Sequence, residues 1–204
     1  MPSMTTPLLP NWLRLVWTLL LAGVAVVHIG HVWTMSGQRQ WWHVSHTVMA
    51  AAMVVMYLQP HSESPRMYEV GLVVFALLSV GLAAIVVSLR RREQALNPLW
   101  VSVVVDLLAM TYMFVPAASR PAPLTSVLVL YLGFQAIAWV TGLWSRVAVV
   151  SGAVPAVAEA GAAGGAAAPD GEGQTFGLYA TSALDVRLTL ALMAAGMAYM
   201  LAVM

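Results

Sequence analysis

The chain contains no cysteine and no lysine, and charged residues make up only 8% of its 204 positions. Without cysteine there can be no disulfide, thiolate metal site, iron–sulfur cluster or cysteine nucleophile. Methionine is then the one soft sulfur ligand on offer. Every basic residue is an arginine, and with the Ala, Val and Gly bias this suggests a GC-rich genome. A net charge of +1, with no basic patch interleaved with aromatics, argues against nucleic acid as a partner. Catalytic signatures are missing as well. There is no Ser–His–Asp arrangement and no HExxH, and the Gly-rich run at 161–173 lacks the strand and helix that a phosphate loop requires. No enzymatic activity is expected.

What the chain has in quantity is apolar surface: 61% of it is hydrophobic and the mean hydropathy is +0.83. A soluble domain carries about a quarter charged residues, so this one cannot cover itself for water. The fold class expected is all-α, a polytopic transmembrane helix bundle. A helix needs about 20 apolar residues to cross a hydrocarbon core of about 30 Å. Six segments come close: 12–33, 41–58, 68–89, 99–115, 124–145 and 183–203. The second and fourth are short and carry the polar exceptions, which predicts that they face other helices rather than lipid. "LQPHSESPR" at 58–66, "VPAASRPAP" at 115–123 and "NP" at 97–98 break the helices, and His61 is expected in a solvated loop. Trp12, Trp17, Trp33, Trp41, Trp42, Trp100 and Trp144 fall near segment ends, where interfacial anchors sit.

Residues 1–11 form an N-terminal tail without the basic region of a secretory signal, so the run after it is expected to be retained as a helix. Residues 146–182 are rich in Ala, Gly and Pro and predict a disordered loop. Arg39, Arg90, Arg91, Arg92, Arg146 and Arg187 fall on one side of the expected topology, and Arg14, Arg66 and Arg120 on the other. The positive-inside rule then places both termini outside the cytoplasm, in a cell membrane.

The even-numbered segments share a repeat. Met49, Met53 and Met56 follow the pattern M-x3-M-x2-M, and so do Met193, Met197 and Met200. Asp106, Met110 and Met113 keep the spacing with a carboxylate in first place. The longer gap before the last copy is accounted for by the Ala/Gly-rich insert. Three tandem helix hairpins are predicted. At about 100° per residue each triplet occupies one stripe, and the three stripes are expected to meet in a common interior. Methionine is also a flexible gap filler, so packing alone explains a stripe.

Histidine adds to that reading. His28 and His31 lie near the end of the first segment, and His43 and His46 near the start of the second, each pair three residues apart with a short turn between. At 1.5 Å per residue His28 and His46 sit about 7 Å inside, with Met49 just below and Asp106 at a comparable depth. Ionisable groups inside a membrane are costly and face a partner, cavity or site. Imidazole suits copper and zinc, and thioether selects Cu(I). Zinc without cysteine would want three or four His or carboxylate ligands, which His28, His31, His43 and His46 could supply, but the methionines tip the choice to copper. The candidate metal ligands are His28, His31, His43, His46, Met49, Met53, Met56, Asp106, Met110 and Met113, with Met193, Met197 and Met200 as weaker ones. Two other readings stand beside this one: a haem-binding electron-transfer protein with axial His or His/Met ligands, and a structural or accessory membrane subunit whose methionines pack without a ligand. In the latter, Asp106 is a structural carboxylate paired with His or Arg.

The segments "LRLVWTLLLAGVAVVHIGHVW", "WWHVSHTVMAAAMVVMYL" and "LTLALMAAGMAYMLAVM" resemble an actinobacterial membrane-protein family known as domain of unknown function 5134. The likeness covers 12–145 and 183–203. It implies a multi-pass membrane protein of an actinobacterium, with histidines entering Met-rich helices, and brings no activity with it.

Overall fold

A computed structural model describes residues 10–59, 63–93, 95–146, 150–151 and 184–203. Six α-helices make up nearly all of it: α1 (Asn11–Thr34), α2 (Gln38–Leu58), α3 (Pro65–Glu93), α4 (Pro98–Met113), α5 (Ala122–Thr141) and α6 (Leu184–Val203). Local chemistry sets the ends. At α4 the Asn97 side chain accepts from the Leu99 amide at 3.0 Å with Pro98 in the first turn, a helix start that satisfies one orphan N–H and forgoes another. Gly142, with φ 70°, stops α5 at Thr141, short of the expected 145, and Leu143–Arg146 continues as a 3-10 turn. Of the expected loop 146–182, Val150–Ser151 pairs antiparallel with Ala95–Leu96; the remainder after Arg146 lies outside the described residues, as do most of the N-terminal tail and His61.

The helices pack in sequence order, α1 on α2, α3 on α4 and α5 on α6, which are the three hairpins anticipated from the repeat. Contacts of α1 with α6, α2 with α4 and α4 with α6 join them. Large exposed apolar side chains gather on the odd-numbered helices, for example Leu19 and Val26, Val73, Leu77 and Val80, and Leu130, Phe134 and Ile137. Helices α1, α3, α5 and α6 are long and apolar enough to cross a bilayer. The outer faces of α1, α3 and α5 present hydrocarbon to the surroundings, as lipid contact demands. The protein is a membrane-embedded helix bundle.

Inside, all nine positions of the repeat are buried: Met49, Met53 and Met56 on α2, Asp106, Met110 and Met113 on α4, and Met193, Met197 and Met200 on α6. The eight methionines belong to one core cluster. With no hydrophobic drive between helices in lipid, close packing and interhelical hydrogen bonds hold such a core. Met53 Cε packs close to Gly196, and the Tyr57 hydroxyl donates to the Gly196 carbonyl at 3.1 Å.

Three arginines bind helix C-termini, where the last carbonyls lack intrahelical donors and the dipole is negative. Arg14 donates to the carbonyls of Tyr57 and Leu58 at the end of α2, at 3.0 and 2.9 Å. Arg120 donates to Met113 and Val115 at the end of α4, at 2.7 and 2.8 Å. Arg187 donates to Trp139 at 3.1 Å and to Val140, at the end of α5. Burial pulls the pKa of Arg120 below its usual value, against the opposing influence of Tyr112 and Tyr68.

Candidate metal centre

The turn between α1 and α2 is held by Gly37, whose φ of 67° and ψ of −140° suit glycine alone. The Met35 amide donates to the His31 carbonyl and closes α1. This tight reversal, with i,i+3 spacing on each side, sets two histidine pairs face to face. All four predicted histidines come together. Ring centroids lie 5.1 Å apart for His28 and His43, 5.4 Å for His28 and His46, and 4.8 Å for His31 and His43. His28, His43 and His46 are buried.

Their hydrogen bonds assign the tautomers. His46 Nδ1 lies 2.7 Å from the Trp42 carbonyl, which can only accept; Nδ1 therefore carries the proton and Nε2 keeps its lone pair. Thr189 Oγ1 donates to the Val186 carbonyl at 2.9 Å. Its longer contact with His28 Nε2, 3.4 Å, must then run from the imidazole to the hydroxyl. That leaves His28 Nδ1 as acceptor for the proton on His43 Nδ1, 2.8 Å away. In that tautomer His43 Nε2 keeps a second lone pair, which no donor among the described residues takes. A ligating imidazole fixed through its other nitrogen is the usual arrangement at metal centres, and His46 has it.

The first turns of α6 close the cluster. Asp185 Oδ2 lies 3.5 Å from His31 Nε2, and Thr189 sits against His28. Neither residue stood out in the sequence, although an Asp and a Thr four apart at the start of an apolar span are a readable signal. Trp42 packs against His46, with centroids 4.2 Å apart, and edge-on against His43 at 5.0 Å. Its buried Nε1 has no hydrogen-bond partner among the described residues.

Two expectations are corrected by these contacts. Trp42 and Trp100 are interior residues, each 4% exposed, whereas Trp12, Trp33 and Trp41 are 65%, 84% and 68% exposed as anchors should be. Trp100 turns inward because its Nε1 finds Gln38 Oε1 at 3.1 Å. Trp17 also turns in, stacked between Tyr57 and Tyr199. Asp106, which the structural alternative would pair with a histidine or arginine, accepts instead from the Tyr131 hydroxyl on α5 at 3.2 Å. Among the described residues it makes no ion pair.

The donor chemistry suits a soft or borderline metal, and the nitrogens need adjustment to take one. With bonds of about 2.0–2.1 Å, two tetrahedral nitrogens stand about 3.3 Å apart. The 2.8 Å pair is thus set for a shared proton and must open by about half an ångström. Among the described residues no three His, Asp or Glu side chains are arranged to hold a metal ion as they stand. Met49, one helical turn beyond His46 on the same face, is the nearest thioether along α2. No family model, curated protein or solved structure matches the chain.

Proposed function

We propose that the protein binds and handles a soft transition metal, Cu(I) first among them, at the histidine cluster on one end of its methionine-lined interior. The observation that carries this reading is the convergence of four imidazoles from two helices, with a proton shared between His28 and His43 and free lone pairs at His43 Nε2 and His46 Nε2. A metal ion held between the two Nδ1 atoms would move that proton to His43 Nε2, giving the neutral tautomer that ligates through Nδ1; His46 Nε2 keeps its lone pair in either state. The buried methionines of α2, α4 and α6 would supply further thioether ligands, which favour Cu(I). The role is binding or passing the ion, with no catalytic step.

Arginine placement completes the proposal. The cluster lies at the end of the bundle that also bears Arg39, Arg90, Arg91, Arg92 and Arg187, so the positive-inside rule turns it towards the cytoplasm of a cell membrane, with both termini outside. Kinship with the actinobacterial family named above belongs to the same reading and rests on the quoted segments.

A structural or accessory role is the second reading, favoured by one observation: all eight repeat methionines are packed in one core, as a flexible filler would be. The haem alternative gains nothing from two imidazoles that meet nitrogen to nitrogen. Metal content decides. Detergent-purified protein would be loaded with Cu(I), desalted and analysed beside a His28/His31/His43/His46→Ala variant that elutes at the same position on size exclusion. The wild type should retain at least one copper per chain that the variant lacks. Equal retention, or none in either, overturns the metal reading and leaves the packed bundle.

A further inference from the structure

The start of α6 meets the two histidines of α1 in antiparallel register. Asp185 Oδ2 stands 3.5 Å from His31 Nε2, and Thr189 Oγ1 stands 3.4 Å from His28 Nε2. Four residues on α6 advance about 6 Å and three on α1 about 4.5 Å, so one turn of each helix is in step with one turn of the other. Both contacts fall on the same ring atom, Nε2. An aspartate in the first turn of a helix is favoured by the dipole alone, so its presence says little. Its pairing with a histidine, matched by a second pair one turn on, calls for a separate reason.

A neutral imidazole that faces an acceptor turns its N–H towards it. For His28 the hydrogen-bond order above already places that proton on Nε2. For His31 the partner is a carboxylate, which can only accept. A separation of 3.5 Å is long for a hydrogen bond, but the negative charge still favours the tautomer with its N–H on that side. The two nitrogens of an imidazole lie on different edges of the ring. Both α1 histidines therefore keep the Nδ1 lone pair on the edge their α6 partners do not occupy. In His28 that atom is 2.8 Å from His43 Nδ1 on α2, and the His31 and His43 rings are 4.8 Å apart. The bundle's polar run between α4 and α5 is built otherwise, donor to acceptor: Trp144 Nε1 donates to Gln135 Oε1, Gln135 Nε2 to the Tyr131 hydroxyl, and that hydroxyl to Asp106. Asp185 and Thr189 also head the methionine stripe of α6, since steps of four lead from them to Met193 and Met197.

We propose that Asp185 and Thr189 are positioning residues of the histidine cluster, which hold His31 and His28 as Nε2–H tautomers and make Nδ1 the metal-binding nitrogen of both. The inference deepens the metal reading and rests on it for the ion, while the tautomers belong to the metal-free protein. A ligating imidazole gains from an outer partner that fixes its ring and tautomer and raises its basicity. On this plan the third hairpin orients ligands that the first hairpin carries.

The full-length protein, isotope-labelled at histidine, would be studied metal-free in lipid bilayers by solid-state NMR under mildly alkaline conditions. Nitrogen shifts separate N–H from lone-pair nitrogens, and His28→Gln and His31→Gln assign the rings. Wild type should show Nε2–H at both. Thr189→Val should release His28, and Asp185→Ala should release His31, each into a mixture of tautomers; Thr189→Ser should restore the wild-type signal. Cu(I), titrated against a colorimetric chelator, should bind about 10–100-fold more weakly to Thr189→Val and Asp185→Ala and as in wild type to Thr189→Ser. The unfolding midpoints of the metal-free variants should stay close to wild type. Affinities that fall with the midpoint while the tautomers stay put assign a structural role and overturn the proposal. Nδ1–H at either α1 histidine of the wild type overturns it too, as does wild-type affinity in both variants. In those cases copper retained by the wild type leaves the proposed function standing. A wild type that binds no copper overturns the proposed function and this inference together.

Discussion

The contact between His28 Nδ1 and His43 Nδ1 can be weighed by a double-mutant cycle in the metal-free protein. Both rings are buried, and the 2.8 Å separation requires one proton between them. Replacing His28 by Leu strands the His43 N–H, and replacing His43 by Leu removes the donor from His28. An orphaned buried polar group costs about 1–3 kcal/mol. Leucine refills most of the ring volume, which keeps the cavity contribution small. In the double variant neither orphan exists, so the two penalties vanish together. The single variants should each lose about 1–3 kcal/mol, and the double variant should be more stable than their sum by about 1–2 kcal/mol. Reversible unfolding in mixed detergent and SDS micelles, followed by circular dichroism, measures all four corners. Independent sites add to within about 0.3–0.5 kcal/mol. A coupling inside that margin would show that the imidazoles do not share a proton, and the tautomers assigned above would fall with it.

Gly71 on α3 lies under the Phe114 ring, where an added Cβ would overlap the ring carbons, and that ring is wedged between Tyr68 and Phe75. Gly71→Ala should lower the thermal midpoint, because overpacking of about 1–3 kcal/mol outweighs a helix-propensity gain of about 1 kcal/mol; Gly81→Ala on the same helix meets nothing and should not, and a midpoint unchanged at position 71 refutes the close approach. Arg14→Gln removes two charge-assisted bonds to the end of α2, each worth about 1.5–3 kcal/mol before solvent screening at a half-exposed site. It should destabilise by about 1–3 kcal/mol and speed hydrogen exchange at the carboxyl end of that helix, with no change at α4.

The hairpin plan was legible because a repeat with a fixed internal spacing survives in sequence even where helix ends do not. Met49, Met110 and Met193 announce one face each, and burial of all three faces follows from the polar exceptions that made α2 and α4 poor lipid neighbours. The histidine cluster was legible for a similar reason: the turn is too short to let His28 and His43 separate. Tryptophan misled, since an indole near a helix end reads the same whether its N–H meets a headgroup or, as for Trp100, a glutamine on another helix, α2. Asp106 was found and its partners were not. Tyr131 and Gln135, one turn apart in an apolar span, carried the signal, but nothing in spacing says which helix pairs with α4's carboxylate. That depends on the lateral order of hairpins, which a sequence does not print.

The division into outer and inner helices bears on how the chain enters the membrane. α1 and α3 are long and apolar enough to cross a bilayer, while α2, with two imidazoles and an arginine-bearing start, is not, and α4, though apolar, is too short at 16 residues and holds a carboxylate. In each of these hairpins the lipid-compatible helix is synthesised first. The helix bearing the polar groups follows and can shelter against a partner already in place. Each costly side chain is then carried in by its hairpin, so the order of the genetic message doubles as an order of assembly.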